Sequence, residues 1–313
     1  MRERSASIAT ARDARTKGLQ RRWRVNERVI EGGIFLASLL AIVVLLGIVA
    51  VLLRQGLPIF SHTPPWEFLF GTQWYPVSEP PTFGTTTFFV ATIWVTVVAT
   101  VIAVPIGVAC AAYLAEVAPS SVRESVKPVI ELLAGIPSVV IGFIGLLLLS
   151  PLVQSMFNLN TGLSGLAAGI MLSLMSLPII VSVSEDALRA IPDEFRQAAY
   201  ALGATKWEVV RHVSIPAALS GISAAIMLGV GRAIGETMTV LMIAGGALAV
   251  PVSPTQPMMP MTAAIASGIG NAVRGGLQYQ ALFAIGLMLF LMTLAVNLIA
   301  DRVLERQKRR FVR

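Results

Sequence analysis

The chain has 313 residues, 55% of them hydrophobic and only 13% charged, with a mean hydropathy of +0.76. A soluble domain carries roughly 25% charged residues, so a water-soluble globular enzyme is excluded, and the net charge of +7 reads as a membrane-orientation signal before it reads as nucleic-acid affinity. The charges are also clustered, leaving residues 32–53, 80–115, 132–184, 237–273 and 275–300 with none. A helix needs about 20 apolar residues to cross the hydrocarbon core, and in lipid the backbone polar groups must be satisfied within the element. The predicted class is an all-α polytopic membrane protein.

Residues 1–29 form a basic tail. Arg21, Arg22, Trp23, Arg24 and Arg28 suit an interfacial helix on the cytoplasmic leaflet; for residues 1–18 a disordered tail is the alternative. The first apolar run, 32–53, is 22 residues long, beyond the roughly 7–15 residues of a signal-peptide core, so it reads as an uncleaved anchor. Six spans are predicted, at about 32–53, 88–113, 132–150, 164–184, 218–246 and 278–300. The run 132–184 divides in two at Pro151, Gln154, Asn158, Asn160 and Gly162. Of the basic residues, 21 lie in the tails and in the loops 114–131 and 185–213, against Arg54 and Arg274 on the other side. The positive-inside rule then places both termini in the cytoplasm. Residues 30–300 form the membrane domain and 301–313 a second basic tail.

The outer segment 54–86 holds Trp66, Trp74, Tyr75 and six prolines, too much structure for a plain linker. Its aromatics fit the membrane interface or contact with a binding protein. Thr85, Thr86 and Thr87 start the second span or line an outer vestibule. Cys110, within that span, reads as buried and inert. His62 and His212 fall on opposite sides and cannot share a metal. There is no G-x-x-x-x-G-K-[ST] to cradle a phosphate chain, so if ATP drives this protein, another chain must bind it.

Within the loop 185–213, Ile191-Pro192-Asp193-Glu194 opens a helix, with Pro at its entry and two acids at the positive end of its dipole. Helix formers run to Leu202, and Gly203 is placed to end the helix in a left-handed turn. Thr205 and Glu208 have capping-box spacing. A second short helix follows to about Val213, and Pro216 marks the entry to the next span. Two short helices joined by Gly also describe a helix-turn-helix DNA reader. Against that, five acids face four bases here, and DNA-reading elements are basic. A plain connector is a third reading, but Ala198, Ala199 and Gly203 favour close approach by a partner.

In the fifth span Arg232 and Glu236 stand four apart, which places them on one face of a helix. Charges at membrane depth face a bundle interior or a wet cavity. A guanidinium fork suits phosphate oxygens, and Gly229, Gly231 and Gly235 leave room for close approach. An internal Arg232–Glu236 salt bridge and an anion site are both open. Ser267 and Asn271 are placed in an outer loop, and Asn297 in the last span at an interhelical hydrogen bond.

Gln197-Ala198-Ala199, Gly203 and Ile215-Pro216 resemble the EAA loop of ABC-importer permeases. The chain departs from that pattern with Gln197 in place of Glu and Ile215 in place of Leu. Glu131-Leu132-Leu133-Ala134-Gly135-Ile136-Pro137-Ser138-Val139-Val140 with Gly142 is similar to the third-span signature of phosphate-specific (Pst) permeases. Gly231-Arg232-Ala233-Ile234-Gly235-Glu236-Thr237-Met238 is similar to their fifth-span signature. Met238, Gly229-Val230-Gly231 and the long outer segment resemble the PstC type more than the PstA type. The resemblance implies a type I ABC-importer permease fold with both termini cytoplasmic, multi-pass in a prokaryotic plasma membrane among lipid. It implies a transport subunit, not an enzyme, passing inorganic phosphate. Its partners would be a PstA-like permease, two ATPase subunits that hold the ATP and Mg, and an external phosphate-binding protein; no cofactor of its own and no nucleic acid are implied. Glu194, Gln197, Ala198, Ala199, Gly203 and Trp207 would couple to the ATPase. Arg232, Glu236 and Thr237 would lie on the substrate path. The alternatives are a permease for another oxyanion, sulfate or molybdate, and a secondary transporter without an ATPase.

Overall fold

A computed structural model describes residues 30–311; the interfacial helix expected at Arg21–Arg28 lies outside them. The chain divides into two compact units at Arg54 and Gln55. The described part of the first, residues 30–54, is continuous helix (α1). The second opens with a tight 3-10 turn at Leu57–Ser61, the short helix α2 (Pro65–Phe70) and a two-stranded antiparallel hairpin, β1 (Trp74–Tyr75) with β2 (Thr82–Phe83). Trp74 stands opposite Phe83 and also packs edge-on against Phe88. The segment 54–86 is therefore folded, as its aromatics and prolines suggest.

Helix α3 (Thr86–Ala112) begins at the three threonines and ends in a wide π turn, Tyr113–Val117. The amphipathic helix α4 (Ser120–Ala134) follows. Next come α5 (Ser138–Ile144), a second π turn at Gly145–Leu149, and α6 (Ser150–Phe157). Helix α7 (Gly165–Arg189) starts where Ser164 Oγ accepts from Ala167 N. Helices α8 (Asp193–Ala201) and α9 (Lys206–Val209) carry the polar loop; a π turn at Val210–Ser214 and one helical turn, α10 (Ile215–Ala217), lead to α11 (Leu219–Gly235). The chain ends with α12 (Met238–Ile243), α13 (Met261–Ile269) and the 35-residue α14 (Leu277–Phe311). Among the described residues five helices are long and apolar enough to cross a membrane, and a sixth span is counted if Lys206–Ala217 and Leu219–Gly235, bent by 72°, are taken together.

Helices α3, α7 and α11 pack together, and small residues set their spacing. A Cβ on Gly107 (α3) would fall 2.7 Å from Ile180 Cγ2, and one on Gly229 (α11) 2.6 Å from Ile180 Cγ1. Ile180 of α7 thus sits between two helix backbones. Gly169 of α7 admits Val98 in the same way. The Ser176 hydroxyl donates to Gly229 O at 3.2 Å, adding a polar tie across the same contact.

Several sequence expectations are corrected. The third span begins at Ser138, not 132, because residues to Ala134 belong to α4 and Gly135-Ile136-Pro137 interrupts the helix between them; Pro137 removes a helical donor and disfavours helix in the residue before it. The fifth span is not continuous over 218–246, since α11 stops at Gly235. Ser267 lies within α13, donating to Ala263 O, and not in a loop. Asn271 follows that helix, its N–H bonded to Gly268 O. Cys110 is exposed on α3 instead of buried. Asn297 is exposed on α14, and its side chain makes no hydrogen bond among the described residues. Residues 301–311 continue α14 as helix beyond the apolar stretch that ends at Arg302.

Candidate functional site

The sequence directs attention to two regions, the polar loop and the fifth-span pair. The polar loop folds as its residues dictate. Asp193 and Glu194 occupy the first turn of α8. The helix ends with Gly203 at φ +85°, Gly203 N–H bonded to Tyr200 O (3.0 Å) and Ala204 N–H to Ala199 O (3.1 Å). This paired closure needs a left-handed residue, which Gly supplies without a Cβ penalty. Thr205 and Glu208 form the capping box: Glu208 N–H donates to Thr205 Oγ1, and Thr205 N–H to Glu208 Oε2 at 2.7 Å. The backbone N–H of Thr205, then its hydroxyl, holds the Glu208 carboxyl below the usual carboxylate range.

Glu194, Gln197, Ala198, Gly203 and Trp207 are exposed, and Ala199 is half-buried. No residue of α8 is buried. Phe195, Tyr200, Leu202 and Trp207 add exposed apolar surface to the same pair of helices. Trp207 also borders an apolar groove of about 600 Å³ lined by Val104, Val108, Tyr113, Ile215 and Ile222. A small-residue helix flanked by exposed aromatics, in a segment rich in charge, is suited to a protein partner.

Sequence reasoning missed what holds this loop. Arg196 uses all five guanidinium N–H donors. It binds Glu116 through Nε and Nη2 (2.9–3.1 Å), Leu188 O (2.8 Å), Ile191 O (2.9 Å) and Asp193 Oδ1 (2.9 Å). The Glu116 bond raises the Arg196 pKa above its already high ordinary value. A second knot surrounds Glu185, whose side chain is only 1% exposed. Lys127 reaches it at 2.6 Å and Asp186 at 2.7 Å, with Arg189 at 3.4 Å and Arg123 at 3.9 Å from Glu185. Hydrogen bonds to Asp186 and then Glu185 raise the Lys127 pKa, outweighing its partial burial. Arg123 further donates to Leu114 O and Ala115 O in the wide turn after α3. The available signal was position: Glu116 and Glu185 are the acids that close the charge-free runs 80–115 and 132–184.

At the fifth-span pair the structure changes the geometry. Glu236 is extended (φ −71°, ψ 132°). Its Oε1 accepts from Thr237 N–H (3.1 Å) and Met238 N–H (3.2 Å), so the carboxylate caps α12. Its carbonyl accepts from Thr262 Oγ1 at 2.8 Å. Thr237 turns its hydroxyl to Gly235 O at 3.4 Å. No Arg232–Glu236 ion pair is found among the described residues, because the i,i+4 relation does not survive the break. Arg232 Nε is buried without a partner. The end of the 231–238 stretch meets 131–142: a Cβ on Gly142 would sit 3.7 Å from Met238 O and 3.2 Å from Thr239 Cα, and Thr239 Oγ1 donates to Ser138 O at 3.1 Å.

The family described as "Binding-protein-dependent transport system inner membrane component" matches residues 103–313. The probable ABC transporter permease YqgH of Bacillus subtilis is 37% identical, covering 88% of each chain. The phosphate transport system permease PstC of Mesorhizobium japonicum is 35% identical across 96% of this chain and 95% of its own. The PstC of Haemophilus influenzae is 35% identical across 77% and 82%. A chain of the inward-facing MetNI methionine ABC transporter superposes with a TM-score of 0.55 at 18% identity, covering 71% of this chain and 94% of that one. A chain of a bacterial alginate ABC importer gives 0.54 at 14% identity, covering 71% and 78%. These two share the fold, that of type I importer permeases. With that fold, its apolar spans and relatives matched over most of their length, the chain belongs to the inner-membrane components of binding-protein-dependent transport systems, the multi-pass permease subunits of ABC importers.

Proposed function

We propose that this chain is the PstC-type permease of an ATP-driven importer of inorganic phosphate in a prokaryotic plasma membrane, with both termini cytoplasmic. A PstA-like permease completes the path, two ATPase subunits dock under α8 and hold the ATP and Mg, and an external binding protein delivers phosphate. The exposed small-residue and aromatic surface around Ala198, Gly203 and Trp207 supports the docking role. The names of the relatives from Mesorhizobium japonicum and Haemophilus influenzae support the substrate.

One observation carries the substrate reading: Arg232 Nε is buried and unpartnered at the end of α11, beside the break between that helix and α12. A buried donor without an acceptor costs about 1–3 kcal/mol, and a passing oxyanion would supply the acceptor. Glu236 commits Oε1 to the α12 N–H groups, and no described hydrogen bond engages Oε2. Monohydrogen phosphate can donate its proton to such an oxygen. Sulfate carries the same charge but has no proton to donate and leaves that acceptor unpaired, a mismatch of about 5- to 150-fold by the same estimate. Reconstituted with its partners, the chain should take up phosphate only with ATP and against excess sulfate. Glu236→Gln should admit sulfate more readily; unchanged selectivity would remove Glu236 from the path.

A further inference from the structure

Helix α8 has no buried residue, so apolar packing alone holds it weakly against its neighbours. Its two chain connections are short: Ala190-Ile191-Pro192 to α7, and Leu202 to Thr205 before α9. A three-residue connection would act as a hinge. Arg196 closes that hinge. Its Nη groups bind Leu188 O at the end of α7 and Ile191 O in the connection. Its Nε and Nη2 grip the Glu116 carboxylate, which belongs to the wide turn ending α3. The side chains are 14% and 6% exposed, where water competes little for the pair. On the far side of that turn Arg123 holds the Leu114 and Ala115 carbonyls and approaches Glu185.

We propose that the Arg196–Glu116 pair is the strut that carries displacement of α8 into α3, making both positioning residues for coupled transport. The inference rests on the permease reading above and adds to it how motion at the docking surface reaches the span. A guanidinium fork can hold a carboxylate and two carbonyls in one rigid geometry; a lysine in its place keeps the charge but has one nitrogen and cannot bridge all of them. Salt-bridge and hydrogen-bond networks between rigid elements are one physical carrier of such coupling.

The test uses the complete complex in proteoliposomes, following inorganic phosphate uptake and ATP hydrolysis together. Glu116→Ala and Arg196→Lys should assemble with the ATPase, because the surface around Tyr200 and Trp207 is untouched. They should hydrolyse ATP but move at least about fivefold less phosphate per ATP, the lower end of a typical coupling effect. Glu116→Gln, which keeps one acceptor and loses the charge, should fall between Glu116→Ala and wild type. Wild-type phosphate per ATP in Glu116→Ala overturns the strut. So does loss of assembly in both Glu116 variants, which would make the carboxylate part of folding or docking. A wild-type complex without ATP-driven uptake refutes the permease reading itself, and the strut with it.

Discussion

Ile180 offers a quantitative test of how the three central helices are held. It is 1% exposed and has α3 on one side and α11 on the other. A methyl added by Gly229→Ala would lie 2.6 and 2.7 Å from its Cγ1 and Cδ1. Ordinary carbon contacts need about 3.5–4.0 Å, so the helices must part or Ile180 must leave its rotamer. Overpacking of this kind costs about 1–3 kcal/mol. Ile180→Ala alone opens a cavity and costs about 2–5 kcal/mol. Together the added methyl enters the space vacated by Cγ1 and Cδ1. The double variant should then be more stable than the sum of the singles by about 1–3 kcal/mol, the coupling range of residues in contact. Gly231→Ala is the control, since nothing lies within 4 Å of its Cβ position; removing a helical glycine there should gain up to about 1 kcal/mol. Denaturant titration of the detergent-purified chain measures all four variants. Additivity within about 0.5 kcal/mol would refute the packing account.

Gly203 has open space around it but φ +85°, so Gly203→Val should fail through backbone strain of roughly 1–2 kcal/mol, reducing transport per ATP, while Gly203→Asn should retain it; normal transport by the Val variant at normal expression would count against docking there. The Glu208 carboxyl is held below its ordinary pKa by Thr205, so the cap contributes fully above the unfolded value near 4.3 and fades as pH falls through the lower folded value. Thermal melts from pH 7 to pH 3 should show this acid loss in wild type and not in Glu208→Ala.

What the sequence made legible was local. Pro192, the two acids after it, Gly203 and the Thr205–Glu208 spacing each act within a few residues, and all took the conformations their chemistry favours. The apolar runs showed that spans exist but not where they break, because hydropathy is blind to a backbone kink inside an uncharged stretch. Glu236 shows why the kink went unseen. An acid four residues after an arginine reads as a helical pair, yet its carboxylate caps the next helix and its carbonyl is claimed by Thr262, 26 residues on. Arg196 and Glu116 are 80 residues apart, and nothing local distinguishes Arg196 from a solvated base. Ser267 was misplaced because its surroundings, Ala-Ile-Ala-Ser-Gly, suit a loop or a helix equally.

The wide turn after α3 makes residue count matter as much as residue type. Ala118 N–H reaches back five residues to Tyr113 O at 2.8 Å, so this turn holds one residue more than an α-turn would. Each residue of an α-helix advances about 100°. Removing one residue between Tyr113 and Val117 would let the helix close to its ordinary pitch and swing the acid at Glu116 away from Arg196. Pro119 and α4 would turn with it. A deletion that most connecting segments absorb would here disconnect the loop from the span and turn Arg123 and Lys127 of α4 away from Glu185. Scanning by substitution would not reveal that dependence, and scanning by single-residue deletion would.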